Sequence, residues 1–207
     1  MKSKLLILTF FCVFTFGMYA QGSFPSKEER IYSLSKIWKE LEFNFAYPET
    51  LYKVNLDSLY QAYLPLVENA KDSYEYYRTL SAFMSNFNEA HTRIIPPEQK
   101  PYDMPPIEVS NIGDIVYVKN VSQELSKKIP VFSRITAVDK IPVLQHIETF
   151  IYPYISAANA HWKHDKAVTE MLNGRPDSKV TVSFLTPEGN SSDITLTRNY
   201  LANKDKI

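Results

Sequence analysis

Residues 88–106 read NEAHTRIIPPEQKPYDMPP, and the character of the chain changes across them. Pro96, Pro97, Pro101, Pro105 and Pro106 remove backbone donors that a helix or a central strand requires, so residues 96–106 read as a Pro-rich linker. The stretch from His91 to Ile95 just before them is short and β-prone. On either side of this boundary the apolar residues recur with different periods.

Upstream the period is helical. Ser26 and Glu29 have the spacing of a capping box, and Ile31, Leu34, Trp38, Leu41 and Phe45 then form one apolar stripe that Tyr47-Pro48 ends. A second stripe runs through Leu56, Leu59, Tyr60, Tyr63, Leu64 and Val67, with Asn55 as its cap and Pro65 predicted to bend it. Asp72 and Glu75 repeat the capping-box spacing before a third stripe of Tyr76, Leu80, Phe83, Met84 and Phe87. Residues 21–95 therefore predict a three-helix bundle, and core packing alone accounts for its stripes.

Downstream the period is that of strands. Ile107 to Val109 and Ile115 to Val118 flank Gly113-Asp114, and Val131 to Val138 predicts another strand. Val180, Val182 and Phe184 alternate with polar residues, as do Ile194 and Leu196, with Thr186 to Asn190 as the hairpin loop between them. Two helices interrupt the strands, one near Pro142 to Thr149 and one from Asn159 to Asn173 with Gly174 as its stop signal. The fold class predicted is α+β: the helical bundle, then a small β-barrel or sandwich with two helices over residues 107–200, then a tail over 201–207.

Composition narrows the function. With 207 residues, 44% of them apolar, the chain can bury a substantial core, and 23 basic against 23 acidic residues give no field that would draw nucleic acid. Five glycines against 14 Tyr and 12 Phe argue against glycine-rich phosphate loops. Lys2, Lys4, the apolar run Leu5 to Met18 and small Ala20 have the pattern of an export signal over residues 1–20, predicting a periplasmic or extracellular protein with no stable membrane span after cleavage. Cys12 lies inside that run, so the mature chain has no thiol for a disulfide, a zinc site or a nucleophile.

Taken in order, these pieces resemble the N-terminal half of exported serine peptidases of the tricorn-core and C-terminal-processing family. The aromatic-rich first helix from Ile37-Trp38 to Phe43-Asn44-Phe45-Ala46-Tyr47, the segment Val54 to Tyr60 and the signature Asn88-Glu89-Ala90-His91-Thr92 carry the resemblance in the helical part. Glu89 stands where the family more often has Asp. In the second part, Arg134 to Val143, Met171-Leu172-Asn173-Gly174 and the strands at Val180 to Leu185 and up to Arg198 resemble a PDZ-like domain, with Lys140 where Gly is common.

The resemblance implies that His91 is a general base, that the PDZ-like part takes a peptide or unfolded protein tail by strand addition, and that the nucleophilic serine belongs to a catalytic domain that follows. Nothing between Arg198 and Ile207 could encode that domain, so the chain is expected to be the regulatory or substrate-guiding portion, inactive alone. The tricorn pattern has a serine just before the His, where this chain has Ala90, and the C-terminal-processing branch uses a lysine base instead. Ser122, Ser133, Ser191 and Ser192 read as surface or turn residues. His161 and His164 with Asp165, and His146 upstream, fit neither the His-Glu-x-x-His order nor any fixed third ligand, so no metal and no cofactor is expected. The alternative reading is a free-standing periplasmic peptide-binding or adaptor protein.

Overall fold

The computed structural model describes residues 24–96 and 101–203; the expected export signal, part of the linker and the end of the tail lie outside them. Helix α1 (Lys27–Asn44) begins with the capping box: Ser26 Oγ accepts from the Glu29 amide and Glu29 Oε2 accepts from the Ser26 amide. Pro48 does more than end α1, for it opens a one-turn helix α2 (Pro48–Leu51) at a position where a missing N–H costs nothing. Asn55 caps α3 (Leu56–Glu68), which contains Pro65. Asp72 caps α4 (Ser73–Ser85) through the Glu75 amide, but the box is incomplete there, because Glu75 Oε2 accepts from the Lys71 amide instead.

Leu34, Leu41, Val67, Tyr76, Leu80, Phe83, Met84 and Phe87 form one buried cluster between these helices. Edge-to-face ring pairs join Phe83 to Tyr63 and to Phe87. Arg30 is buried on the core side of α1, a place no apolar stripe predicts. Its guanidinium donates to the Val67 and Glu68 carbonyls and so caps the C-terminus of α3.

The strands β1 (Ile107–Ile112), β2 (Ile115–Val121), β3 (Arg134–Val138), β4 (Ile141–Pro142), β5 (Lys179–Leu185) and β6 (Ser191–Thr197) form one open antiparallel sheet. Its order is β1-β2-β3-β5-β6, with β4 off β3, so the described strands form one open sheet where the sequence suggested a small barrel or sandwich. Helices α5 (Val143–Phe150) and α6 (Ala160–Glu170) cover it, and a short α7 (Tyr200–Asn203) follows β6. Strand β3 starts later than predicted, because Phe132 adopts a left-handed φ of 69° and the Ser133 amide turns back to Pro130 O. Ser133 itself is fully buried, not a surface residue.

Gly174 is likewise not the stop of α6. That helix ends at Glu170, and Gly174 lacks a positive φ; a Cβ there would lie 2.5 Å from Arg198 Nε. The buried Arg198 donates to Leu172 O, Ser178 Oγ and Lys179 O, tying the segment after α6 to the sheet. The two halves meet where α4 packs on a single-turn helix, Tyr152–Tyr154. Arg78 of α4 stacks 3.5 Å from the Tyr154 ring and donates to Phe150 O, and Arg175 pairs with both Asp72 and Glu75.

Candidate active site

The segment that follows α4 holds the candidate histidine. Asn86 Nδ2 donates to Ala82 O and Phe83 O and Ser85 Oγ donates to Ala82 O, so side chains satisfy the last carbonyls of the helix. Asn88 then takes a left-handed φ of 50°, which asparagine tolerates better than most residues, and the chain reverses into Glu89. No strand forms over His91 to Ile95, contrary to its β-propensity, because the Glu89 carboxylate has taken the first amides a ladder would use.

Glu89 is buried, and its carboxylate accepts from the His91 amide at 2.8 Å, the Thr92 amide at 2.5 Å and the His91 ring at Nδ1, 2.7 Å away. Burial alone would raise this carboxyl, yet the hydrogen bonds from His91 and Thr92 outweigh it and bring its pKa from 4.5 down to about 2. An ionised carboxylate can only accept, so Nδ1 carries the ring proton and Nε2 of the neutral imidazole keeps its lone pair. The His91 side chain is 89% exposed, and that lone pair faces outward. Chemically, an imidazole held in this tautomer by a carboxylate can accept a proton at Nε2. Among the described residues no serine is hydrogen-bonded to the His91 ring.

From Ala90 the chain runs between two clefts. One, of about 440 Å³, lies against α6 and the Tyr152–Tyr154 turn and is lined by Ala90, Arg93, Ile94, Ile155, Ser156 and Trp162, among others. The other, of about 520 Å³, lies against α1 and is lined by Ile37, Leu41, Phe45, Met84, Thr92 and Ile94. Ser156, which the sequence did not single out, hydrogen-bonds the Glu89 backbone twice.

Of the remaining candidates, His161, His164 and Asp165 share α6, and His146 lies on α5. His161 Nε2 sits 3.4 Å from Asp165, His164 bonds Tyr152 Oη and Gly113 O, and His146 is buried against Met171 O. Ser191 and Ser192 lie on β6, and Ser122 lies in the turn after β2. Among the described residues no helix is long and apolar enough to cross a membrane.

No protein-family model and no curated protein matches the sequence. Solved structures do. Mature CPAF complexed with lactacystin superposes with a TM-score of 0.67 at 14% identity, over 83% of this chain and 34% of CPAF. A photosystem II D1 C-terminal processing protease aligns over 82% of this chain and 43% of its own at 15% identity. The peptide-bound PDZ domain of a carboxy-terminal protease from Vibrio cholerae aligns over 46% of this chain and 92% of its own, also at 15% identity. Both of these have a TM-score of 0.31, so the likeness of fold rests on CPAF. The chain spans about a third of the length of the CPAF chain it matches, and over that third the two share a fold.

Proposed function

We propose that this chain is the helical and PDZ-like portion of a serine peptidase of the tricorn-core and C-terminal-processing type, in which Glu89 and His91 are the acid and the base. The observation that carries the reading is the Glu89–His91 pair, 2.7 Å apart, on a fold shared with CPAF. The nucleophilic serine is then supplied by polypeptide other than the residues described, docked over the exposed face of His91. His91 Nε2 takes the hydroxyl proton as the serine attacks the scissile carbonyl, Glu89 stabilises the imidazolium, and the proton passes to the leaving amine. The cleft beside Ala90 gives an extended peptide a place next to the base.

The test is a chimera in which this chain replaces the matching third of CPAF. It is expected to hydrolyse casein, and His91→Ala within it is expected to lose about 10²–10⁴ in rate, the usual contribution of general base catalysis. The chain alone is expected to be inert. Casein hydrolysis by the chain alone, or a chimera indifferent to His91→Ala, contradicts the proposal.

A second reading, a free-standing peptide-binding or adaptor protein, is favoured by one feature: β1 is an edge strand with α6 packed beside it, the arrangement that strand addition uses. Asn111 Nδ2 bonds Asp165 across that gap at 3.0 Å, so a peptide entering there has to displace this bond. Peptide binding by the chain with Glu89–His91 dispensable for every activity of the chimera would select this second reading.

A further inference from the structure

The turn that presents His91 belongs to the helical half, but part of what holds it comes from the other half. Ser156 Oγ donates to Glu89 O at 2.6 Å and accepts from the Glu89 amide at 3.1 Å, so one hydroxyl satisfies both backbone groups of a buried residue 67 positions away. Ser156 is itself fixed, because Ile155 and Ala157 on either side of it are buried in the core of the sheet half. Within the helical half the turn is held by the buried Phe87 and by the Asn88 amide on Ser85 O, while Asn88 itself is exposed and left-handed and His91 is exposed. Ala90, next in the chain, brings no side-chain polar group of its own.

We propose that Ser156 is a positioning residue for the acid–base pair, clamping the Glu89 backbone so that docking of the two halves sets the orientation of the His91 ring. This rests on the reading of Glu89 and His91 as acid and base. The chain of contact is short. Ser156 holds the Glu89 main chain, the Glu89 carboxylate collects the His91 and Thr92 amides, and the same carboxylate holds His91 Nδ1. A ligand that shifts the sheet half against α4 therefore also shifts the base.

The test is NMR of the full chain, following the carboxyl carbon of Glu89 and the ring nitrogens of His91, one of four histidines. In Ser156→Ala the Glu89 carboxyl is expected to titrate upward from about 2 toward its ordinary 4.5, and the neutral His91 ring to pass from protonation at Nδ1 to a mixture of tautomers. Ser156→Thr, which keeps the hydroxyl, is expected to restore both. Ser85→Ala is the control, since Ser85 Oγ also bonds across the halves, to Pro153 O, without touching Glu89; both readouts are expected to stay put. If Ser156→Ala does not fold, Ser156→Cys, with a much weaker donor in a similar volume, is read the same way. Readouts unmoved by loss of the Ser156 hydroxyl, or moved as far by Ser85→Ala, overturn the proposal, and the peptidase reading then still stands or falls with the chimera. Readouts that move as expected while the chimera stays inert support Ser156's role and remove the peptidase reading.

Discussion

Glu89 links the site to stability through its proton. A carboxyl whose pKa is lower in the folded than in the unfolded chain stabilises the fold above the unfolded value and ceases to do so as pH falls through the folded one. With 4.5 and about 2 as the two ends, that contribution fades between roughly pH 5 and pH 2. Glu89→Gln is expected to cost about 1–3 kcal/mol at neutral pH and to flatten the acid limb of a urea-denaturation series over that window. His146 acts earlier on acidification. Burial lowers its pKa despite the bond to Met171 O, and its Nδ1 has no hydrogen-bond partner among the described residues, so charging it in the core is unfavourable and stability falls as pH drops below about 6.5. His146→Gln is expected to lessen the drop in melting temperature from neutral pH to mildly acid pH. The sequence offered His91 as a candidate through its signature, and Glu89 only as a retained negative charge. Ser156 was invisible, because no local pattern marks a hydroxyl whose partner lies in another part of the chain.

Elements show the same division between local and distant causes. The Ser26–Glu29 box and the Asn55 and Asp72 caps involve residues three apart, and the sequence alone placed them, while the same bond from the Trp162 amide to Asn159 Oδ1 was not singled out. Gly174 has the look of a helix stop, but its reason for being glycine, the guanidinium of Arg198, arrives from just beyond the end of β6. Gly174→Ala is expected to cost about 1–3 kcal/mol in thermal or urea unfolding, the range for forced overpacking, since the new Cβ meets an arginine already committed to three acceptors. The turn between β3 and β4 holds the opposite prediction. Asp139 and Lys140 both have positive φ, 48° and 67°, as a two-residue type I′ hairpin requires, and lysine is poorly suited to that region. Lys140→Gly is expected to raise stability by about 0.4–1 kcal/mol on the same measurement.

At the scale of the whole molecule, periodicity on the two sides of the Pro-rich segment was enough to read helices followed by strands, but not how the halves sit together. That arrangement depends on Arg78 and Arg175, whose partners are Phe150 O, the Tyr154 ring, Asp72 and Glu75, and nothing in the spacing of these residues announces it. The Arg175 pairs are partly exposed, so Arg175→Ala is expected to cost about 1 kcal/mol at low salt, and less in molar salt, when followed by urea denaturation. The strands were expected to make a small barrel or sandwich and form one open sheet, since their pairing order is fixed by contacts between distant strands and not by the alternation within each. What the assembled molecule offers is an exposed imidazole bonded to a buried carboxylate, next in the chain to Ala90, which lines a cleft. Its sharpest check is a long-range proton–nitrogen NMR spectrum of the full chain, with histidine labelled in nitrogen-15, at neutral pH. A His91 ring protonated at Nδ1 with Nε2 bare, a state lost in Glu89→Ala, is the expected result; a ring protonated mainly at Nε2, or one unaltered by removing Glu89, is incompatible with an acid-held base.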